Sequence, residues 1–299
     1  MGNEFYITID QAGRRIDRLL RTTYPHVSLG AIMKAIRKGE VRLNGEKVSV
    51  STRLEEGQFL QVPWQKNVSE SFFHNHAQNE TNHSPIETIY KDNHIWVLNK
   101  PAGLLTQPNV KNGDSLITRA LSELNWTRTD FCPATVQRLD RNTSGLVIIA
   151  MSGLTLRVFS EVIRSRNVKK IYYAVVLGDI QNEGEIDAPL LKDPESNTVK
   201  IDKDGQNALT RYKKLASIGK FSIVEIELVT GRPHQARVHM SSVGHPILGD
   251  KKYGGGNQAA RPMLHSYSIT LPQDLIIPEE LRNKTFVAPI PKDMLCFFN

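Results

Sequence analysis

The stretch QRLDRNTSGLVIIA, residues 137–150, sets an arginine, an aspartate, a threonine and a serine directly ahead of a strongly apolar run. GLVIIA, rich in β-branched residues, reads as a buried strand. Arg138 and Asp140 then lie two residues apart just before it, on one side of an extended backbone or around a loop that opens onto a sheet. Taken alone, they read as an ion pair, with Thr143 and Ser144 satisfying backbone groups of the loop. A chemical role requires further polar groups converging on the same place.

Strand signals continue on both sides. HIWVLNK (94–100), IYYAVVLG (171–178), LTRYKKLA (209–216) and FSIVEIELVTG (221–231) share the same β-branched and aromatic character. Helices are expected at 114–124, at 153–165 and between Gly231 and Gly244. With so few helices between strands, residues 86–299 read as an α+β module on a mainly antiparallel mixed sheet flanked by helices and loops. YGGGNQ (253–258) lacks the Gly-Lys-Ser/Thr ending of a phosphate loop, so its glycines read as a turn and nucleotide hydrolysis is not expected.

The further polar groups come from three segments. TGRPHQARVHMSSVGHPILGDKKYGG (230–255) places Arg232, His234, Gln235, Arg237 and His239 immediately after a strand, a density that suits an anionic, base-bearing ligand. His234 and His239 are five apart and align on one face of neither helix nor strand, which argues against zinc. RPMLHSYSITL (261–271) adds Arg261 and His265 before a strand. KKIYYAVVLG (169–178) starts a strand with two lysines and two tyrosines, read either as core aromatics or as rings that pack flat on a base.

Ahead of this module the charge changes. The net charge is +7, and residues 11–66 carry 11 Lys or Arg against 5 Asp or Glu. Such a basic segment suits a polyanion. RRIDRLLRTTY (14–24) carries Ile16, Leu19 and Leu20 at helical spacing. SLGAIMKAIRKGE (28–40) starts at a cap, Ser28, carries Ile32, Ala35 and Ile36, and stops at Gly39. VRLNGEKV (41–48) reads as a hairpin around Asn44-Gly45, and FLQV (59–62) as a closing strand. Arg14, Arg15, Arg18, Lys34, Arg37, Lys38 and Arg42 are the candidate phosphate contacts. This pattern, over residues 13–62, resembles an S4 RNA-binding domain; Leu29 departs from it, standing where a basic residue usually follows the serine. The organisation expected is therefore residues 1–66, a polar linker at 67–85, and residues 86–299.

That linker holds His74, His76 and His83, read as solvated histidines because no Cys or carboxylate spacing accompanies them. The two cysteines, Cys132 and Cys296, are too few for a disulfide framework. No apolar run approaches the roughly 20 residues of a membrane helix, and the chain is expected to be a cytoplasmic protein, working as a monomer away from membranes.

Together, QRLDRNTSGL, VLNKPAGL, KKIYYAVVLG, TGRPHQARVHMSSVGHPILGDKKYGG and RPMLHSYSITL, in that order, resemble the RluA-type RNA pseudouridine synthase family across essentially the whole second module. The resemblance implies isomerisation of uridine to pseudouridine in RNA, with no metal, nucleotide or organic cofactor. The leading S4 module points to the branch that modifies large-subunit ribosomal RNA; a transfer RNA enzyme and a non-catalytic RNA-binding assembly factor are the alternatives. It implies Asp140 as the nucleophile, attacking the target nucleotide at either the base or the sugar, Arg237 as its cationic partner, and Tyr172 as the ring that packs on the target base and assists proton removal at C5. It also implies that Arg138 helps hold the place of the flipped nucleotide or its phosphate, with Arg232, His234 and Gln235 as further RNA contacts. Gln137 replaces a usual histidine, Asn142 a common acidic residue, and Pro233 and Ala236 also differ from the family pattern.

Overall fold

The computed structural model describes residues 3–65, 85–109, 113–124, 126, 128, 130–193, 195–276 and 278–298. The expected linker, apart from Pro85, and with it His74, His76 and His83, lies outside the described residues. The chain forms two compact units: Met1–Pro85 with Gln107–Thr135 and Ile149–Val158, and Ile86–Thr106 with Val136–Ile148 and Phe159–Asn299.

The chain begins with β1 (Asn3–Tyr6), α1 (Ile16–Thr23), α2 (Leu29–Lys38), β2 (Arg42–Leu43), β3 (Glu46–Lys47) and β4 (Phe59–Val62), whose strands form a sheet ordered β1-β4-β2-β3. Local chemistry sets the boundaries. The Ser28 hydroxyl accepts from the Ala31 N–H at 3.3 Å, and Gly39 ends α2 at φ 73° while the Glu40 N–H returns to the Ala35 carbonyl. Asn44 and Gly45 both take positive φ, 52° and 84°, as the tight turn between β2 and β3 requires. Ile16, Leu19 and Leu20 of α1 meet Ile32, Ala35 and Ile36 of α2 in one buried cluster, as their spacing predicts. The edge strand β1 carries no comparable signal; it forms because β4 offers it an antiparallel partner.

Along the rest of the chain follow β5 (Glu87–Lys91), β6 (Ile95–Lys100), α3 (Leu116–Leu124), β7 (Ala134–Thr135), β8 (Ser144–Ala150), α4 (Gly153–Arg164), β9 (Lys169–Leu177), β10 (Glu183–Asp187), β11 (Leu190–Lys192), β12 (Val199–Ile201), β13 (Leu209–Ile218), β14 (Phe221–Leu228), α5 (Gln235–Ser242), β15 (Leu264–Thr270), β16 (Thr285–Val287) and α6 (Lys292–Leu295). In the first unit, Asp10 sits at the start of α4, where its carboxylate accepts from the Gly153 N–H at 2.8 Å and pairs with Arg128. A carboxylate at a helix N-terminus satisfies an orphan donor and faces the positive end of the dipole.

The second unit is built on a sheet ordered β10-β13-β14-β9-β15-β8-β6-β5. It is mixed: β15 runs parallel to β8 and antiparallel to β9 and β16. All seven residues of β8 are buried, which is why GLVIIA is apolar without alternation. Gly145 is required where β8 meets β15: its φ is 113°, and a β-carbon there would stand 2.2 Å from the Ser266 carbonyl oxygen. Among the described residues no helix is long and apolar enough to cross a membrane.

Candidate active site

The loop before β8 is held from beneath. Thr106 Oγ1 donates to the Leu139 carbonyl at 2.9 Å and accepts from the Leu139 N–H at 3.1 Å. Arg141 exchanges bonds with Gly103, its Nε donating to the Gly103 carbonyl and its own carbonyl accepting from the Gly103 N–H. Lys100, fully buried, donates to the carbonyls of Pro101, Leu104 and Arg141 at 2.9, 2.8 and 3.1 Å. Burial pushes its pKa down to about 7, against the attraction of Asp140. These bonds give the KPAGLLT segment its part in the site: it fixes the backbone on both sides of Asp140. The Thr143 N–H closes the turn onto the Asp140 carbonyl at 3.1 Å, and Ser144 Oγ bonds His265 Nδ1 at 2.9 Å.

Asp140 does not pair with Arg138. Its partner is Arg237, in the first turn of α5, whose Nη1 donates to Asp140 Oδ2 at 3.0 Å. The other edge of the guanidinium grips Asp250 bidentately, Nε to Oδ2 at 2.7 Å and Nη2 to Oδ1 at 2.8 Å, and Tyr253 lies under its plane at 4.9 Å. Burial opposes the arginine's charge, but the bonds and charge of Asp250, then those of Asp140, outweigh it and hold its pKa above the ordinary value. The two carboxylates differ in access. The Asp250 side chain is 1% exposed and fixed, whereas that of Asp140 is 30% exposed and borders open space.

That space is a cavity of about 700 Å³, lined among others by Asp140, Arg138, Tyr172, Lys170, Arg232 and His234. It is ample for an extruded nucleotide. Tyr172 is buried in its wall, with its phenol bonded to Ser266 and pushed up to about 12 by burial. Arg138 is exposed at the rim, and Arg232 turns Nε to the Asn207 carbonyl at 3.0 Å. Lys170, buried by its strand, also lines this cavity, and burial lowers its pKa.

Other expected contacts are placed differently. Gln235 is 2% exposed; its oxygen accepts from Thr230 Oγ1 and the Arg232 N–H, and its nitrogen donates to the Leu209 carbonyl and Thr210 Oγ1. An amide with every group satisfied inside the fold has nothing to offer RNA, so Gln235 is corrected from an RNA contact to a clamp on the turn before α5. Gln137 likewise turns inward: it donates to the Leu146 carbonyl and accepts from the Ile148 N–H, both at 3.4 Å, pairing with the β8 backbone. In the first unit, Arg18, Lys34, Arg37, Lys38 and Arg42 are exposed. Arg14 bonds Thr22, Arg42 bonds the Gly45 carbonyl, and Arg15 is held by Asp17 through two bonds. Lys38 lies 3.6 Å from Glu40.

Four site groups went unnamed at the level of sequence. Lys100 and Thr106 lie in or beside VLNKPAGL, and Asp250 and Tyr253 in ILGDKKYGG. Each was within or next to a quoted motif, but a residue that acts through a partner distant in sequence announces itself only when the fold brings the two together.

The chain is similar to known proteins along most of its length. Residues 94–242 match the family model described as RNA pseudouridylate synthase, and residues 14–60 match the S4 domain. Ribosomal large subunit pseudouridine synthase C of Vibrio cholerae is 34% identical over 254 residues, covering 82% of this chain and 78% of that protein. Its counterpart in Escherichia coli is 35% identical over 256 residues, covering 83% and 78%. The structure of human RNA pseudouridylate synthase domain containing 1 overlays with a TM-score of 0.58 at 22% identity, covering 73% of this chain and 89% of that one, a likeness of fold. The chain belongs to the RNA pseudouridylate synthase family, with an S4 domain at its N-terminal end. It is an enzyme that isomerises uridine in RNA to pseudouridine.

Proposed function

We propose that this enzyme modifies uridines of large-subunit ribosomal RNA, acting as a monomer in the cytoplasm, with Asp140 as nucleophile. The substrate class follows the relatives named for the large ribosomal subunit and the basic S4 domain, which favour it over transfer RNA. The observation that carries the site is the single bond from Arg237 to Asp140 at the edge of a nucleotide-sized cavity, with Asp250 holding the arginine from its far side. An aspartate that attacks must be ionised, and a fixed guanidinium beside it favours that form.

A stacked uridine is out of reach, so the target is extruded at a cost of a few kcal/mol, offset by backbone contacts. Arg138 at the rim holds the emptied place or the flanking phosphate, and Arg232 and the exposed basic residues of α1 and α2 bind backbone. Tyr172 packs on the uracil. Being a phenol at neutral pH, it assists removal of the C5 proton by orienting and relaying rather than as a preformed phenolate. Mapping pseudouridines in total RNA from cells with and without the protein tests this reading: loss of one or a few sites in large-subunit ribosomal RNA is expected, and loss confined to transfer RNA would overturn the substrate assignment.

A further inference from the structure

His234 lines the cavity beside Asp140, with Nε2 at 3.9 Å from Asp140 Oδ1. That separation is too long for a hydrogen bond. The other ring nitrogen, Nδ1, is 2.6 Å from the Tyr253 hydroxyl, and this hydroxyl accepts from the Val199 N–H at 3.0 Å. With one lone pair taken by Val199, the arrangement that satisfies all three groups has Tyr253 donating its proton to Nδ1. The imidazole then carries its own proton on Nε2, toward Asp140 Oδ1. His234 also holds a left-handed backbone, φ 54°, which a non-glycine residue tolerates only at some expense. Burial lowers the pKa of the ring, outweighing the pull of Asp140, which keeps it a neutral donor.

We propose that His234 is a catalytic hydrogen-bond donor, its Nε2–H serving the carbonyl oxygen of the uracil that lies beside the attacking oxygen of Asp140. Such a donor suits the chemistry. When the Asp140 oxygen attacks C1′, the C1′–N1 bond breaks and its electron pair stays with the ring and spreads onto O2 and O4; C5 of the turned ring then displaces the carboxylate from C1′, the C5 proton leaves, and N1 gains a proton, so that product and substrate are isomers. His234 transfers no proton in this sequence. It stabilises charge that develops on oxygen, and a neutral imidazole held by a second residue does so without reorganising. Rotation of the detached ring about the axis through N3 and C6 exchanges N1 with C5 and O2 with O4. One fixed donor therefore faces a carbonyl oxygen before and after the turn. Lock and donor are both needed, which assigns Tyr253 as the positioning residue that acts through His234.

The proposal rests on the uridine lying against Asp140. The test uses full-length protein in excess over total RNA from cells that lack it, following pseudouridine at the site the wild-type protein modifies. His234→Phe is expected to slow the single-turnover rate roughly a hundredfold, as loss of one preorganised donor does, with RNA affinity within about threefold. His234→Gln, which shares the backbone strain but restores an N–H, is expected to recover at least about tenfold of that rate. Tyr253→Phe keeps the ring under Arg237 and is expected to lose about tenfold, and combined with His234→Phe to lose no more than His234→Phe alone. A His234→Phe protein within about threefold of wild type, a Gln variant no faster than the Phe variant, or losses that multiply in the double variant would overturn the proposal. If His234→Phe does not fold, a Tyr253→Phe protein as fast as wild type overturns it equally. Asp140→Asn runs alongside: turnover in that variant removes the site reading and this inference with it, whereas inactivity there with a fast His234→Phe removes the inference alone.

Discussion

Asp250 is the residue whose replacement separates the two halves of the site. It holds two of the three bonding positions of Arg237 from a fully buried place, leaving the third for Asp140. Asp250→Asn keeps the shape and removes the charge, so a buried arginine loses its main partner. Loss of one member of a buried pair costs about 3–5 kcal/mol, and urea denaturation is expected to show a loss toward the lower end of that range, together with a fall in turnover as Arg237 shifts. Stability within about 1 kcal/mol and unaltered turnover would show that Asp250 does not position the arginine. Asp140, Tyr172 and Arg237 could be named from the sequence only because their motifs occur together and in order; taken alone, the aspartate reads as half of an ion pair and the tyrosine as a core aromatic. Asp250 could not, because nothing in GDKK distinguishes a carboxylate that faces solvent from one buried against an arginine 13 residues away. Gln235 misled for the converse reason: an amide beside two basic residues looks available until its four partners are seen.

At the scale of elements, the parallel junction between β8 and β15 holds the site's floor, and His265 is its titratable weak point. The ring is wholly buried, with Nδ1 bonded to Ser144 and the Ala288 backbone beside it. Burial lowers its pKa from 6.5 to about 4. Between those values the unfolded chain binds a proton that the folded chain refuses, so stability falls as pH drops from 6.5 toward 4, by up to about 3 kcal/mol at 1.36 kcal/mol per unit. His265→Gln is expected to flatten this window in denaturation curves taken at pH 7, 5.5 and 4.5; an equally steep decline would show that other groups govern it. The strands of the junction could be read from their β-branched runs, and α1, α2 and α5 from spacing and punctuation. The order in which strands pair could not, and neither could the hairpin β11–β12 or the edge strand β1. Short polar strands are fixed by the partner that covers them, not by any period of their own.

For the whole molecule, the S4 domain is best tested by charge rather than by deletion, because Asp10 in the same unit caps α4 and pairs with Arg128. Arg18, Lys34 and Arg37 are exposed, and replacing all three by glutamine is expected to weaken RNA binding and to lower the slope of log affinity against log salt by about three, near one per cation removed. An unchanged slope would place the RNA anchor elsewhere. The excess of basic residues in the first fifth of the chain already suggested this division of labour, and the central claim joins its two parts: RNA delivered by contacts to its backbone meets a carboxylate aimed by Arg237. The measurement closest to that claim is the single-turnover yield of pseudouridine from the Asp140→Asn enzyme beside its affinity for the same RNA. The account predicts no product and affinity within a few-fold of wild type. Product formed at a measurable rate would contradict it.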